Sequence, residues 1–290
     1  MNGNKIQGHS SHVNAVKYHP EGDYILSAGF NGELYLWDRS TYEKVQVFEG
    51  HNQTVNSIIW LNNGKELISA SGDGKILFHE ISQSEPLISL QDLKSGVSHM
   101  HLTYDEQYLV TSNKTSNVRV REWPDGDLVY TRKSDQRNSG VLCAAKQEPH
   151  VIVGGVGNKI RRFLIPSGEM IEEVDGHEYA TMGFRFFDED RHGISVGYDG
   201  TMMIWDMETH QVLEKLNLGG EGYYSFALSH DDKEVGVAMP YNFKRIQLNN
   251  LFSTEKSLPA KGNYGVDYSP DGRQIAVASA DKSIRFFDRE

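Results

Sequence analysis

The segment Gly32-Glu-Leu-Tyr-Leu-Trp37-Asp38 recurs 42 residues later as Gly74-Lys-Ile-Leu-Phe-His79-Glu80. Further copies of this pattern begin, again at intervals of 42 residues, at Ser116, Asn158, Gly200 and Asn242, and a last one follows after 40 residues at Lys282. Seven units with so constant a period are typical of a repeat protein, in which each unit is one small structural element. The 290 residues therefore divide into seven copies of one element.

Each unit has the residue pattern of four short strands. In the first unit the runs rich in β-branched, aliphatic and aromatic residues are 13–18, 24–28, 33–37 and 44–48. Turn signals separate them, including His19-Pro-Glu-Gly-Asp23 and Phe30-Asn-Gly32, because Pro presets φ and Gly tolerates a positive φ. A lone four-stranded sheet cannot bury both of its faces, so such units close radially. The sequence predicts an all-β, seven-bladed β-propeller with four antiparallel strands per blade.

The repeat boundaries predict one domain over residues 1–290. The units cover about 8–49, 50–91, 92–133, 134–175, 176–217, 218–257 and 258–290. The seventh unit ends directly after its third strand, and Ile6 aligns with Phe48 of a fourth strand. We therefore expect residues 1–7 to close the last blade, with Asn4 to Gln7 as its outer strand.

Two dipeptides repeat within this frame. Gly-His pairs stand at Gly8-His9, Gly50-His51 and Gly176-His177, and Trp-Asp pairs stand at Trp37-Asp38 and Trp205-Asp206. The spacing from His to Trp is 28 residues in units one and five. With these motifs the chain resembles the WD-repeat (WD40-type) β-propeller family over its whole length. Units three, four, six and seven lack the Gly-His pair, so they are placed by spacing and turn chemistry alone.

The resemblance implies a structural hydrogen-bonded network of His, Ser or Thr, Asp and Trp inside a blade. The positions that match are His9, Ser27, Asn31 and Trp37 in unit one, His51, Ser69 and Asp73 in unit two, and His177, Ser195, Asp199 and Trp205 in unit five. Asn31 takes the place of the Asp, and His79 takes that of the Trp in unit two. Buried polar groups need partners. We therefore expect these residues to be scaffold and not a Ser-His-Asp catalytic triad.

Composition and charge weigh against several other functions. The net charge of −11 argues against general nucleic-acid binding, which depends on neutralising phosphates. The stretch from Lys114 to Arg162 nevertheless carries ten Lys or Arg against five Asp or Glu, which keeps a nucleic-acid-associated adaptor open as an alternative. A propeller-fold hydrolase or lyase is the other alternative. We predict a protein that is not an enzyme and that has no cofactor, no metal site and no small-molecule substrate.

The family geometry also suggests where a partner binds. Residues expected near the narrow top face are Asn14, Phe30, Asn56, Met182, Tyr198, Tyr224 and Tyr264. Exposed aromatic residues suit recognition of an extended peptide. The sequence thus predicts a scaffold for peptide segments of other proteins, compatible with a multiprotein complex, while packing of these rings as a channel plug stays open. The N-terminus has no signal-peptide pattern, no apolar run suggests a membrane segment, and Cys143 is a single cysteine. We expect a cytoplasmic protein, and a nuclear location is also compatible.

Overall fold

The computed structural model describes residues 4–91, 96–113, 117–133, 141–147, 150–219, 225–248, 255–259 and 262–289. In these ranges the regular structure is β-strand, arranged in seven four-stranded antiparallel sheets. None of the described residues belongs to a helix that is long and apolar enough to cross a membrane. The predicted fold class, a seven-bladed β-propeller with four antiparallel strands per blade, is confirmed.

The chain forms two compact units, one comprising Met1–Gly96 with Tyr224–Glu290 and the other Val97–Tyr223. The first unit holds blades one, two, six and seven. Blade one consists of β2 (Val13–Tyr18), β3 (Tyr24–Gly29), β4 (Leu34–Asp38) and β5 (Lys44–Phe48). Blade two consists of β6 (Val55–Trp60), β7 (Glu66–Ser71), β8 (Lys75–Glu80) and β9 (Ile88–Gln91). Blade six consists of β22 (Ser225–Leu228), β23 (Glu234–Ala238), β24 (Asn242–Gln247) and β25 (Glu255–Pro259). Blade seven consists of β26 (Asn263–Tyr268), β27 (Gln274–Ser279), β28 (Ser283–Asp288) and β1 (Lys5–Gln7).

The second unit holds blades three, four and five. Blade three consists of β10 (His99–Leu102), β11 (Tyr108–Ser112), β12 (Asn117–Glu122) and β13 (Leu128–Lys133). Blade four consists of β14 (Val141–Ala144), β15 (His150–Gly154), β16 (Lys159–Leu164) and β17 (Met170–Asp175). Blade five consists of β18 (Thr181–Phe187), β19 (His192–Gly197), β20 (Thr201–Asp206) and β21 (Val212–Asn217).

The N-terminal strand completes the last blade. Strand β1 pairs antiparallel with β28, and Ile6 lies opposite Ile284 in that register. The side chain of Ile6 is 4% exposed and packs in the core cluster that contains Trp37 and Phe286. The expectation that the N-terminal residues supply the outer strand of blade seven is therefore confirmed. Burial of Ile6 adds an apolar contact to the backbone hydrogen bonds of the ladder.

Burial differs between the strands of a blade in a way that follows their sequence. The second strand of blade one, Tyr24–Gly29, is buried over its last five residues, and its counterpart Gln274–Ser279 in blade seven shows the same pattern. The outer strand Lys44–Phe48 is largely exposed. A continuous apolar run is expected where a strand is covered on both faces, whereas alternation marks a strand with a wet face.

A polar contact ties blade one to blade seven. The Tyr18 hydroxyl donates to Gln274 Oε1 at 2.9 Å, and Arg39 Nη2 donates to Asp271 Oδ2 at 2.9 Å. The Arg39 guanidinium also lies over the Tyr18 ring, 5.3 Å from its centroid. These four side chains connect blade one to blade seven. Without these contacts, their polar groups would lie beside the core without a hydrogen-bond partner.

The same contact recurs between blades seven and six, in a more buried form. The Tyr268 hydroxyl donates to Glu234 Oε1 at 2.8 Å, and Arg289 Nη2 donates to Asp231 Oδ1 at 2.9 Å. Here the acceptor is a fully buried carboxylate, which Arg245 holds through two parallel hydrogen bonds of 2.9 Å. The contact thus recurs at the same repeat position with an Arg–Asp pair in both places, while the acceptor of the tyrosine hydroxyl changes from the neutral amide of Gln274 to the carboxylate of Glu234.

Candidate partner-binding surface

A chain of hydrogen bonds crosses blade five. Trp205 Nε1 donates to Ser195 Oγ at 2.8 Å, and Ser195 Oγ lies 2.8 Å from His177 Nε2. His177 Nδ1 lies 3.1 Å from Asp199 Oδ1, and the Thr201 hydroxyl donates to the same oxygen at 2.7 Å. Because Trp can only donate and a carboxylate can only accept, the serine hydroxyl donates to Nε2 and the imidazole donates from Nδ1. Thr201 is a member of this network that the sequence did not predict.

The electrostatics of this network suit a structural role. Burial lowers the pKa of His177, and the charge of Asp199 offsets this only in part, so the imidazole is neutral at pH 7. Burial also opposes ionisation of Asp199, but hydrogen bonds from Thr201 and the Glu178 amide hold the pKa of that carboxyl below its usual value. Ser195 is completely buried, so its hydroxyl cannot reach a substrate. These residues hold the strands of the blade together.

Blade one contains a network of the same kind. His9 Nε2 lies 2.6 Å from Ser27 Oγ, and Trp37 Nε1 donates to the same oxygen at 2.8 Å. The His9 ring also packs on Tyr35, with 4.5 Å between the ring centroids. The three residues named from the repeat pattern thus lie together in the core of this blade.

The carboxylate of the first network comes from Glu33 and not from the position of Asn31. Glu33 Oε2 lies 2.9 Å from His9 Nδ1, whereas the Asn31 amide donates to Ser10 Oγ at 2.7 Å. The assignment of Asn31 to the Asp place is therefore corrected. Its physical reason is charge, because the imidazole N–H finds an ionised acceptor in the longer Glu33 side chain. Burial opposes that ionisation, yet hydrogen bonds from Ser10, Asn31 and His9 lower the pKa of Glu33 to about 2.

Blade two keeps only part of the network. His51 Nδ1 lies 3.0 Å from Asp73 Oδ2, and His51 Nε2 lies 2.9 Å from Ser69 Oγ. His79, which stands in the place of the Trp, is fully buried, and neither of its ring nitrogens has a hydrogen-bond partner among the described residues. Burial lowers the pKa of His79 to about 4, so this imidazole is also neutral at pH 7.

A comparison with known protein families agrees with this geometry. The family model described as WD domain, G-beta repeat matches residues 3–38, 42–80 and 256–288. These matches include strands β1 to β8 and β26 to β28, which the structure places in the sheets of blades one, two and seven. Over these three stretches the chain is similar to the WD-repeat family, and its seven-bladed propeller agrees with that likeness.

Curated relatives of this chain are distant. It is 24% identical to mouse WD repeat-containing protein 62 over 68% of its own length, but this match spans 14% of the mouse protein. It is 21% identical to WD repeat-containing protein SL1-17 of Schistosoma mansoni, over 63% of the chain and 62% of that protein. A similar match, 21% identical over 72% of the chain, joins it to eukaryotic translation initiation factor 3 subunit I of Candida albicans, of which it covers 67%.

Three aromatic rings of the propeller meet at one end of blades one and seven. We call this end the loop face, because in blade one it carries both the Gly8-His9 loop and the hairpin between β3 and β4. The Phe30 ring lies 5.0 Å from the Tyr264 ring and 5.3 Å from the His12 ring, and His12 stacks on Tyr264 at 6.0 Å. All three side chains are half-buried. They pack on one another and still expose part of each ring.

The other residues expected at a binding surface differ in their exposure. Met182 is 38% exposed and Tyr198 is 54% exposed, both in blade five, whereas Asn14 is half-buried and donates to the Val55 carbonyl at 2.9 Å. Asn56 is also half-buried. Tyr224 lies outside the described residues. Asn14 therefore links the first strands of blades one and two, and the structure gives it a scaffold contact.

Sequence reasoning missed the most exposed aromatic residue of the loop face. Tyr241 is 80% exposed and stands in the hairpin of blade six at the repeat position that Asp73 and Asp199 occupy. Asn263 donates to the Asn242 carbonyl at 3.0 Å, which ties this hairpin to the strand that carries Tyr264. The available signal was an aromatic residue at the repeat position where units two, five and seven carry an Asp.

One cluster of possible metal ligands proves to be a turn. The ligand atoms of His19, Glu21 and Asp23 lie within 4.8 Å of one another. However, His19 Nε2 lies 2.7 Å from the Gly64 carbonyl, and His19 Nδ1 accepts a hydrogen bond from the Glu21 amide at 3.2 Å. Both ring nitrogens are occupied by the protein, so the imidazole has no lone pair to offer a cation.

Proposed function

We propose that this WD-repeat propeller is a non-catalytic scaffold that binds extended peptide segments of other proteins at its loop face. The observation that carries the proposal is the combination of Tyr241, 80% exposed, with the half-buried cluster of His12, Phe30 and Tyr264 in the same unit. Exposed tyrosines offer apolar area and a polar tip at low entropic cost, which favours peptide recognition.

Two further points support a role in assembly. The Ser-His-Asp residues that could suggest a hydrolase are buried and saturated with hydrogen bonds, as in blade five. One relative is by its name a subunit of a translation initiation factor, which supports a place in a multiprotein complex. The cytoplasm suits the single cysteine, Cys143, which is buried and free. The proposal includes no cofactor and no small-molecule substrate.

The test uses peptides selected on the purified chain from a phage-displayed library of random sequences. We expect enriched peptides to bind the wild type and to bind the Tyr241→Ser variant about tenfold more weakly, because an exposed aromatic anchor is lost. Tyr104→Ser is the matched control. Tyr104 is 63% exposed and lies in the turn between β10 and β11, away from the hairpin end of its blade, so its loss leaves binding unchanged.

The alternative, in which the aromatic cluster is only a plug, gives a different result. In that case Phe30→Ala lowers the melting temperature, because the ring packs on Tyr264 and His12, while every enriched peptide binds as before. Failure to enrich any peptide, or equal affinity of wild type and Tyr241→Ser, would contradict the proposal.

A further inference from the structure

A groove of about 260 Å³ opens in the second unit between blades three and four. Its floor is apolar and consists of the buried side chains Val118, Val153 and Phe163. Arg132 and Lys133 of β13 stand on one side, and both side chains are exposed. The groove is smaller than the roughly 300–1,000 Å³ of typical small-molecule sites, so its volume suits a single side chain.

Among the described residues, no carboxylate is paired with the two cations on the blade-three side. Arg132 lies over the Phe163 ring, 4.7 Å from its centroid, and donates to the Gly168 carbonyl at 2.6 Å. A carbonyl oxygen leaves the charge of the guanidinium uncompensated. Within the part of the chain that the structure describes, no carboxylate lies within ion-pair distance of Arg132 or Lys133.

The cations on the blade-four side are compensated. Arg161 Nε lies 2.7 Å from Glu173 Oε2, and Lys159 Nζ lies 2.8 Å from Asp175 Oδ1. The register of β16 and β17 places Arg161 opposite Glu173 and Lys159 opposite Asp175, so these pairs are built into the sheet. Arg132 and Lys133 therefore give the groove a positive side that blade four does not neutralise.

We propose that this groove binds an extended acidic peptide segment of a partner protein, with one aliphatic side chain on the apolar floor. Carboxylates of the segment pair with Arg132 and Lys133. Strand β13 is the outer strand of its sheet, so its free edge can align an extended chain. This site lies on a different unit from the aromatic cluster of the loop face. Binding in the groove can therefore be tested independently of binding at the loop face.

Charge on the groove favours a peptide over a nucleic acid. Glu173 of β17 also lines the groove, but it is paired with Arg161, so the uncompensated charge there is limited to two cations, which suits a ligand of only a few residues. The chain as a whole carries a net charge of −11, which opposes binding of a polyanion over a long footprint. A short acidic segment with an apolar residue at its centre can place that residue on the apolar floor and its carboxylates beside the two cations.

The experiment measures fluorescence anisotropy of three labelled peptides with the full chain. The first has one Leu between two runs of Glu, the second has Ser in place of that Leu, and the third has Lys in place of each Glu. We expect saturable binding of the first peptide only, weakened when the salt concentration rises from about 50 to about 200 mM. Binding of the Lys peptide as tightly as the Glu peptide would overturn the proposal.

Substitutions in the groove test whether the peptide binds there. We expect Arg132→Gln to weaken the Glu-Leu-Glu peptide about tenfold, since a charge-assisted hydrogen bond is lost. Lys133→Gln changes an exposed side chain outside the core and weakens binding about threefold. Lys215→Gln is the matched control, since Lys215 is an exposed cation on the outer strand β21 of blade five. It leaves the affinity unchanged.

The remaining outcomes decide against the groove. Equal losses in Lys133→Gln and Lys215→Gln would mean that only the overall charge of the chain matters. A single-stranded oligonucleotide that binds more tightly than the Glu-Leu-Glu peptide and responds to Arg132→Gln would assign the cations to a nucleic acid instead. Loss of loop-face binding in Tyr241→Ser does not enter this test, because that variant keeps the groove intact.

Discussion

Blade five and blade six each contain a group of buried polar side chains, and the two groups are held together by different interactions. In blade five, Trp205, Ser195 and His177 form a chain of neutral donors that ends on Asp199. In blade six the buried polar centre is ionic, with Glu234 held by Arg245. In both, the polar groups are satisfied, which buried groups require. The two blades differ in what a substitution leaves behind. Removing one residue leaves a buried hydroxyl without a partner in blade five and a buried charge without a partner in blade six.

The ionic centre is buried, as the neutral network is. Glu234 is 0% exposed and Arg245 is 6% exposed. The carboxylate also accepts hydrogen bonds from the Tyr268 hydroxyl and the Gln247 amide. Burial opposes ionisation of Glu234, but the hydrogen bonds from Arg245 and Tyr268 and the charge of Arg245 keep its pKa below the usual value. The centre is stable as a whole because every oxygen is partnered.

The largest expected effect in this comparison comes from Glu234→Gln. The substitution preserves the shape of the side chain and removes the charge that Arg245 needs, which costs about 3–5 kcal/mol of the free energy of unfolding. Urea unfolding followed by tryptophan fluorescence measures it. The control is Glu173→Gln, because Glu173 forms a partly exposed pair with Arg161, and such a pair contributes about 1 kcal/mol or less. Equal losses in the two variants would contradict the ionic role of Glu234.

A smaller loss is expected when the neutral network is cut. Trp205→Phe keeps most of the apolar area but removes the donor to Ser195, at a cost of about 1–3 kcal/mol. The chain offers a matched control in Trp60, whose Nε1 is buried without a hydrogen-bond partner among the described residues. Trp60→Phe therefore changes only packing, at about 1 kcal/mol or less. If both substitutions cost the same in urea unfolding, the hydrogen bond to Ser195 contributes nothing.

The repeat pattern predicted one of these centres and not the other. His177, Ser195, Asp199 and Trp205 stand at the positions within one unit at which the resemblance to the WD-repeat family implies a hydrogen-bonded network. Glu234 joins Arg245 within blade six but Tyr268 from the next blade, and although the Tyr18–Gln274 contact recurs at the position of the Tyr268–Glu234 contact, no repeated sequence motif marks Arg245 as the partner of Glu234. A signal existed, since Glu234 lies in an otherwise apolar second strand, where a carboxylate requires a partner.

Reliance on the repeat pattern also explains the wrong assignment of Asn31 in blade one. The repeat register places Asn31 at the position of the Asp. The register does not show that Glu33, which is two residues further on and has a longer side chain, reaches His9 instead. Glu33 reaches His9 because the hairpin brings its carboxylate beside the Gly8-His9 loop. Spacing determines which backbone positions meet, whereas side-chain length and charge decide which residue makes the contact.

The smallest expected effect concerns blade two, where His79 replaces the Trp of the network. Burial lowers the pKa of His79 to about 4 in the folded chain, against about 6.5 in the unfolded one. Because the unfolded state binds the extra proton first, stability is lost as the pH falls from about 6.5 towards about 4. At pH 5 this residue alone removes about 1–2 kcal/mol relative to pH 7.

His79→Phe tests this directly, since a phenyl ring fits an apolar site beside Phe48, whose ring lies 5.1 Å from that of His79. The variant keeps or gains stability at pH 7, because a buried imidazole without partners is replaced by an apolar ring. Its free energy of unfolding then falls less than that of the wild type between pH 7 and pH 5, by about 1–2 kcal/mol. Other histidines whose pKa burial lowers, including His9, His51, His150 and His177, remain in both proteins and contribute a common acid sensitivity. Parallel pH profiles of the two proteins would show that His79 takes up its proton without unfolding the blade, and would remove the difference drawn between blade two and blade five.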